Sequence, residues 1–180
     1  MSSLKSEIAQ NRPFSSRAEE ALLNLFRSAD CVQRAMQRST RQWSITSTQY
    51  NVLRILRGAH PEGLPCSAIG DRMITADPDI TRLLSRLKAL KLIRQARDKR
   101  DRRVVNTWIS EAGLALLAEM DPIVSRLPTE LLGHVSEDDL NTLIRLLEQA
   151  RRVCDDRAKP PTCEGKDHPA DVTCDGTPVE

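Results

Sequence analysis

The chain contains few aromatic residues, few glycines and no long apolar segment. Of its 180 residues, only 3% are aromatic and 7 are glycine, which disfavours β-sandwiches, propellers and proteins that bind single strands by base stacking. No apolar run approaches the roughly 18 residues that span a bilayer. The first residues hold no apolar signal segment, so we expect a cytoplasmic protein without a membrane anchor. The five cysteines are odd in number and irregularly spaced, which is not typical of a disulfide framework.

Motifs of common catalytic and metal sites are also missing. The sequence contains no glycine-rich phosphate loop, no Gly-x-Ser-x-Gly elbow and no His-Glu-x-x-His. Cys154, Cys163 and Cys174 lie farther apart than the Cys-x-x-Cys pairs that are typical of zinc sites. We therefore predict that the protein is not an enzyme and that it needs no metal and no cofactor.

What the sequence does contain is an uneven distribution of charge. The whole chain has a net charge of +2, from 27 basic and 25 acidic side chains. Residues 82–103 hold ten basic side chains and two acidic ones, a local charge of +8. A concentrated basic segment on an otherwise nearly neutral body is typical of a protein that meets phosphates.

The two ends differ in composition from the middle of the chain. Residues 155–180 hold three basic and seven acidic side chains, four prolines and little apolar surface. Such a segment cannot offset its ordering entropy by burial, so we predict a disordered acidic tail. Residues 1–15 are predicted to form a flexible N-terminal arm, and residues 16–154 a folded domain.

Within that domain, apolar residues recur at three- and four-residue steps, which predicts helices. The first four predicted helices span residues 16–42, 47–57, 68–74 and 77–90. Thr46 or Ser47 is the expected N-cap of the second helix, and Ser67 that of the third. The fourth has the strongest start signal, with Asp77 as N-cap and Pro78 at its first position, where a missing N–H costs nothing.

The segments that follow predict a hairpin and two more helices. Residues 92–93 and 104–109 are rich in residues that favour strands, and the charged segment 97–103 separates them. A helix is predicted after Ser110, which bends at Pro122 or ends near Pro128. The last helix has Ser136 as its N-cap, with Asp139 at the third position in a spacing that resembles a capping box.

A short helix, a turn, a capped helix and a hairpin occur in this order in a winged helix-turn-helix. The capped helix fits the major groove, where base edges present a unique pattern of donors and acceptors. The hairpin tip is too charged to pack against protein and is long enough to reach the neighbouring minor groove, whose negative potential attracts arginine. The predicted DNA-contacting residues are Asp79, Thr81, Arg82, Arg86, Lys99, Arg100, Arg102 and Arg103.

Six segments of the sequence match a known pattern in order and spacing. They are Thr46-Ser-Thr-Gln-Tyr50-Asn-Val-Leu53, Ala68-Ile-Gly-Asp-Arg-Met73, Pro78-Asp-Ile-Thr81-Arg82-Leu83-Leu84-Ser-Arg86-Leu87, Leu92-Ile93, Asp98-x-Arg100-Asp101-Arg102-Arg103 and Ile109-Ser-Glu-Ala-Gly113. From about residue 16 to residue 154, the chain resembles the MarR family of bacterial transcription regulators.

The resemblance implies a mainly α protein with a small β-hairpin wing, an α+β winged helix-turn-helix with terminal dimerisation helices. The dimerisation helices would lie within residues 16–42 and 110–154, and the DNA-binding unit within residues 46–109. The family default is a homodimeric repressor that binds a pseudo-palindromic operator in double-stranded DNA and is released by a small-molecule effector.

The same resemblance implies roles for three residues of the wing. The last arginine of the wing motif, Arg103, would probe the minor groove. Asp98 and Asp101 are the wing-stabilising positions, because a wing aspartate in this family commonly pairs with an arginine.

Two other functions are compatible with the sequence. Some members of the family sense oxidants through a thiol near the N-terminal helices, which makes Cys31 a redox candidate and the protein a thiol-based redox-sensing regulator. Alternatively, the fold serves as an interaction module that has lost DNA binding. Tyr50 and Trp108 are interpreted as packing residues rather than as residues that stack on a ligand.

Overall fold

The computed structural model describes residues 4–75, 79–98 and 101–158, of which 153–158 are described by their backbone alone. The chain divides into two compact units, one that ends at Gly133 and one that begins at His134. The first unit holds a group of helices and a small antiparallel sheet, and the second holds one long helix.

The N-terminal part contains a short helix, α1 (Leu4–Glu7), and a long helix, α2 (Arg17–Thr40), which a single 3-10 turn follows. The Ser16 hydroxyl accepts a hydrogen bond from the Glu19 N–H at 3.1 Å, and so caps the first turn of α2. The long helix predicted over residues 16–42 is therefore confirmed.

Part of the region predicted as a flexible arm has defined structure. Residues Leu4–Glu7 form one helical turn, and the Leu4 side chain is buried. In addition, Arg27 Nε of α2 lies 3.9 Å from Glu7 Oε2. These contacts depend on tertiary packing, which the local composition of residues 1–15 does not reveal.

The next six elements form a winged helix-turn-helix. In chain order they are α3 (Ser47–Gly58), β1 (Leu64–Pro65), α4 (Cys66–Asp71), α5 (Ile80–Ala89), β2 (Ile93–Arg97) and β3 (Val105–Ile109). The strands form one antiparallel sheet in the order β1-β3-β2, in which Ile93 faces Ile109 and Leu64 faces Thr107. The predicted hairpin is confirmed, whereas β1 was not predicted.

Of the helix caps, those at Thr46 and Ser136 were predicted correctly and two others wrongly. Thr46 caps α3 in a capping box with Gln49, as the sequence indicated. Ser67 is not the N-cap of α4, because that helix already begins at Cys66. Asp77 is not the N-cap of α5, because Asp79 takes that position. Asp77 itself and Pro78 lie outside the described residues.

The core of the first unit is built mainly from aliphatic side chains of the sheet and of all its helices from α2 to α7, with many leucines and isoleucines in α3, α4 and α5. Five of these helical side chains have no exposed surface or almost none: Leu53, Leu56, Ile69, Leu84 and Leu87. The buried strand residues Ile93 and Ile109 continue the same cluster. Burial of one face of α5 leaves its other face to solvent, and that orientation positions the candidate site.

Two helices complete the first unit, α6 (Glu111–Val124) and α7 (Leu127–Leu132). The Ser110 hydroxyl caps α6 by accepting a hydrogen bond from the Gly113 N–H at 3.1 Å. Helix α6 includes Pro122 and ends at Val124, so it stops before the end predicted near Pro128. Pro128 instead lies in the first turn of α7, where its missing N–H is tolerated.

The second unit contains α8 (Glu137–Ala158). The Ser136 hydroxyl accepts a hydrogen bond from the Asp139 N–H at 3.2 Å and donates one to Asp139 Oδ2 at 2.7 Å. This helix runs four residues beyond 154, into the segment predicted as a disordered tail, whereas residues 159–180 lie outside the described part of the chain. Of the helices that the structure describes, none is long and apolar enough to cross a membrane.

Candidate nucleic-acid interface

The exposed face of α5 is the first part of the candidate interface. Leu83, Leu84 and Leu87 are buried, and the polar side chains between them point to solvent. Four exposed residues lie on that polar side: Thr81, Arg82, Ser85 and Arg86. The two guanidinium groups are one helical turn apart, and so are available together to a ligand that lies along the helix.

Asp79 has a structural role at the start of this helix. Its Oδ1 accepts a hydrogen bond from the Arg82 N–H at 3.0 Å, and its carbonyl oxygen accepts one from the Leu83 N–H at 3.1 Å. A carboxylate in this position also stabilises the helix, because its negative charge lies beside the positive N-terminal end of the helix dipole. The structure therefore assigns the Asp79 carboxylate to the N-cap, and its predicted contact with DNA stays a prediction.

The tip of the β2–β3 hairpin, which we call the wing tip (residues 98–103), is the second part. The Asp98 N–H donates to the Val104 carbonyl at 2.9 Å, and the Val104 N–H donates to the Asp101 carbonyl at 3.0 Å. Asp98 Oδ1 accepts from the Asp101 N–H at 3.1 Å, and Asp101 Oδ1 accepts from the Arg103 N–H at 2.9 Å. The two aspartates thus hold the turn that presents the basic side chains.

Two arginines of the wing tip are accessible to a ligand. Arg102 and Arg103 are exposed, and the hydrogen bonds around them fix the backbone rather than their guanidinium groups. Lys99 and Arg100, which the sequence also predicted as contacts, lie outside the described residues. Of the predicted DNA-contacting residues, those that the structure describes lie in two groups on one unit, the exposed face of α5 with its N-cap and the wing tip.

One residue of the wing was missed by the sequence analysis. Asn106 Nδ2 donates a hydrogen bond to Asp98 Oδ2 at 3.2 Å, and so connects the turn to β3. The signal was present in the sequence, because an amide in the run Val104-Val105-Asn106-Thr107 interrupts residues that otherwise favour an apolar strand. Such a polar side chain within a strand indicates a specific partner.

Two aromatic residues, Tyr50 and Trp108, contact other parts of the protein. Tyr50 is buried, and the Arg54 guanidinium carbon lies 5.9 Å from the centroid of its ring. Trp108 lies on the solvent side of the sheet, where the Arg94 guanidinium carbon is 4.7 Å from the ring centroid. Gly63 allows this arrangement, because a Cβ atom there would lie 2.5 Å from the indole.

A crevice of about 530 Å³ lies between α2, α3, α6 and α7 in the first unit. Its walls are mostly apolar, and its polar groups are Tyr50, Arg54, Ser125 and the ion pair between Arg57 and Asp121. Arg57 Nη1 and Nη2 lie 2.7 and 3.2 Å from the two Asp121 carboxylate oxygens. These hydrogen bonds raise the pKa of Arg57, and burial raises the pKa of Tyr50.

Two free cysteines lie in the part of the chain whose side chains the structure describes. Cys31 is an exposed free thiol on α2, and Cys66 is a half-buried free thiol at the start of α4. The cysteine and histidine residues beyond 158 lie outside the described part. Where the structure describes side chains, no three His, Cys, Asp or Glu residues form a group that could hold a metal ion.

Comparison with known proteins gives the family. No protein-family model matches the chain. The crystal structure of a MarR transcription factor from Planctomyces limnophilus is 39% identical, with a TM-score of 0.59, over 76% of this chain and 99% of that one. The HTH-type transcriptional regulator TtmR of Methylorubrum extorquens is 33% identical over 97 residues, 54% of this chain and 49% of TtmR, so the chain spans about half the length of this relative.

A third similar protein is BpsR of Bordetella bronchiseptica, whose DNA binding is regulated by 6-hydroxynicotinic acid. It is 22% identical, with a TM-score of 0.68, over 78% of this chain and 98% of BpsR. At this identity the likeness shows the fold alone, a winged helix-turn-helix. The identity to the Planctomyces limnophilus protein, over nearly all of its length, establishes that the chain belongs to the MarR family of DNA-binding transcriptional regulators.

Proposed function

We propose that the protein is a homodimeric repressor that binds a pseudo-palindromic operator in double-stranded DNA and releases it when a small-molecule effector binds. The observation that carries the proposal is the pair of exposed basic groups on one unit: Arg82 and Arg86 on α5, and Arg102 and Arg103 on the wing tip. An α-helix fits the major groove, and an arginine-rich loop suits the minor groove beside it.

The exposed apolar residues of α2 favour a homodimer. Leu22, Leu25, Phe26 and Val32 recur at helical spacing and are exposed, Phe26 by 64%. Helix α8 also carries exposed apolar side chains: Leu143, Ile144 and Leu146. Mutual burial of such residues between two copies would remove them from water. Two copies of α5 would then read major grooves about 34 Å apart, one turn of DNA.

The proposed wing contact is tested by reversing one charge. Duplexes that the protein selects from a random-sequence library serve as the probe, and fluorescence anisotropy measures their affinity. We expect Arg103→Glu to weaken binding at least ten-fold, because a carboxylate would face the phosphates of a narrow groove. Arg126→Glu, the same change at an exposed residue between α6 and α7, is the control and should bind like the wild type.

Salt dependence gives a second readout of the same interaction. A plot of log affinity against log salt concentration has a negative slope, and its magnitude decreases by about one for each phosphate that the protein no longer neutralises. Arg103→Glu should therefore reduce the slope, and Arg126→Glu should not. If Arg103→Glu keeps both the affinity and the slope of the wild type, the assignment of the wing is wrong and the interaction-module alternative gains.

The crevice beside the Arg57–Asp121 pair is the proposed effector site. Its mixture of apolar walls and arginines suits a small aromatic acid, and the DNA binding of BpsR is regulated by one. The probe is 6-hydroxynicotinic acid together with other small aromatic carboxylates. An effector should raise the melting temperature of the free protein and lower its affinity for DNA, because it binds one conformation better. Arg54→Leu should reduce both effects.

A thiol-based sensor is the second candidate function, favoured by the exposure of Cys31 on α2. If Cys31 oxidation displaced the helix that forms the proposed dimer interface, peroxide would lower operator affinity. The comparison is wild type against Cys31→Ser, each with and without peroxide. Loss of affinity in the wild type alone would favour the sensor, and equal affinity throughout would eliminate it.

A further inference from the structure

Ile74 is the most exposed of the large apolar side chains among the residues that the structure describes, at 85%. It lies in the segment between α4 and α5, five residues before the N-cap Asp79. At this exposure the Ile74 side chain contributes little to the core, so it is available for contact with a ligand.

The backbone of Ile74 is held in place. Its N–H donates a hydrogen bond to Asn51 Oδ1 of α3 at 3.2 Å, and the preceding Met73 N–H donates to the Gly70 carbonyl at 3.1 Å. Helix α4 in turn packs against the start of α5, where Ile80 Cδ1 would lie 3.6 Å from a Cβ atom on Gly70. The backbone of Ile74 is therefore held in place relative to α3 and α4.

Ile74 lies among charged residues of both signs, since Asp71 and Asp79 are exposed together with two arginines. Arg72 on one side and Arg82 in the first turn of α5 are both exposed. The N-terminal residues of a recognition helix are those that meet base edges, so a side chain close to the start of α5, such as that of Ile74, would lie near the edge of the major groove. The apolar group that DNA offers in that groove is the C5-methyl of thymine.

We propose that Ile74 contacts the C5-methyl group of a thymine in the major groove, and so determines the preferred base pair at one position of each half-site. The proposal rests on the proposed function, since it requires that α5 enters the major groove. It adds a sequence-reading residue that lies outside both α5 and the wing tip.

The test removes the Ile74 side chain and the C5-methyl group of thymine, first separately and then together. In a duplex that the wild type selects from a random library, each thymine is replaced in turn by deoxyuridine, which lacks only the methyl group. At one thymine per half-site we expect about a four-fold loss of wild-type affinity, the factor for exposing one buried methyl group. Ile74→Ala should bind the thymine duplex more weakly by at least this factor, and should bind both duplexes equally.

Leu90→Ala is the matched control. Leu90, at the other end of α5, is also an exposed large apolar residue, at 50%. This variant should bind like the wild type and keep the same sensitivity to deoxyuridine. Because both residues are exposed, neither truncation removes core packing, and circular dichroism should give wild-type spectra for both.

The outcomes that overturn the proposal are distinct from those that overturn the proposed function. If Ile74→Ala has wild-type affinity, or if it loses affinity while keeping the wild-type sensitivity to deoxyuridine, Ile74 does not read a methyl group and the proposal is wrong. In both cases the wild type still selects a sequence, and the proposed function stands. If the wild type selects no sequence at all, the proposed function fails and this proposal fails with it.

Discussion

At the scale of single residues, the wing depends on side chains that never need to touch DNA. Asp98 accepts hydrogen bonds from the Asp101 N–H and from the Asn106 amide through its two oxygens, and Asp101 then fixes the Arg103 N–H. Each of these hydrogen bonds restricts the conformations of the wing tip in the free protein. Preorganisation of this kind lowers the entropy that binding would otherwise cost.

Asn106→Leu removes one of these bonds and keeps a side chain of similar size. We expect operator affinity to fall about five-fold, because the wing tip must be ordered on binding. The free energy of unfolding should fall by only about 1 kcal/mol, the usual value of one hydrogen bond. Asn106→Asp should lose more affinity, since it places a second carboxylate beside Asp98. Anisotropy and urea unfolding give the two quantities, and wild-type affinity in both variants would contradict this role.

Tyr50 provides a residue-scale prediction about pH. Burial raises its pKa above the usual value near 10. Because the unfolded side chain ionises near pH 10 and the folded one above it, stability present below pH 10 is lost as the pH rises through the folded-state pKa. Tyr50 is the only tyrosine in the chain, so tyrosinate absorbance reports it alone. The folded midpoint should exceed that in urea, and equal midpoints would contradict the burial of the ring.

At the scale of elements, close packing at the start of α6 fixes the end of the sheet. A Cβ atom on Gly113 would overlap the Leu92 carbonyl oxygen and would lie 2.7 Å from Ile109 Cγ1. Only glycine lets the helix approach the backbone so closely. By contrast, Gly58 at the end of α3 has open space where a Cβ would lie.

These two glycines give opposite predictions for the same substitution. Gly113→Ala should lower the free energy of unfolding by about 2 kcal/mol, because backbone must move to relieve the overlap. Gly58→Ala should leave it unchanged or raise it by up to about 1 kcal/mol, because alanine favours the helix and restricts the unfolded chain. Urea unfolding measures both. A neutral Gly113→Ala variant would contradict the packing described for α6.

The elements that the sequence predicted well are those with local causes. Helices α2 and α3 follow from apolar periodicity and from caps at Ser16 and Thr46, which act within one turn. Strand β1 could not be predicted, because its two residues are a strand only through pairing with Thr107 and Asn106. The sequence predicts the N-cap of α5 two residues too early. Asp77 and Asp79 are both residue types that cap helices well, and only the backbone conformation shows that the helix begins after Asp79.

The candidate site divides in the same way. The exposed arginines of α5 were predictable, because the apolar residues that must face the core leave Arg82 and Arg86 on the opposite side. The hydrogen bond between Asn106 and Asp98 was missed, because the two residues are 8 positions apart and meet only when the hairpin closes. A binding role for Ile74 could not be predicted either, because the sequence does not show whether a single isoleucine in a loop is buried or exposed.

At the scale of the whole molecule, the proposed dimer requires the apolar stripe of α2 to be covered by a second chain. Phe26→Asp places a charge at the centre of that stripe and should weaken dimerisation strongly, because an unpaired carboxylate in an apolar interface is costly. Leu90→Asp, the same chemistry in the winged helix-turn-helix, should leave the mass unchanged. Sedimentation equilibrium gives the masses, and a dimer in Phe26→Asp as tight as in the wild type would contradict the assigned interface.

The distribution of charge along the chain also bears on how the proposed dimer would bind DNA. The net charge of +2 over all 180 residues hides the +8 that residues 82–103 carry, and these residues supply α5 and the wing tip. A dimer would present this basic segment twice. Two such segments, held one DNA turn apart, are suited to a site with two-fold symmetry.

Selection of duplex DNA from a random-sequence library tests this account most directly. The full-length protein is incubated with the library, and the bound duplexes are recovered and sequenced over several rounds. The account predicts an inverted repeat with half-site centres about 10 base pairs apart, bound by two chains per duplex. Recovery of no preferred sequence, or of an asymmetric site bound by one chain, would contradict it.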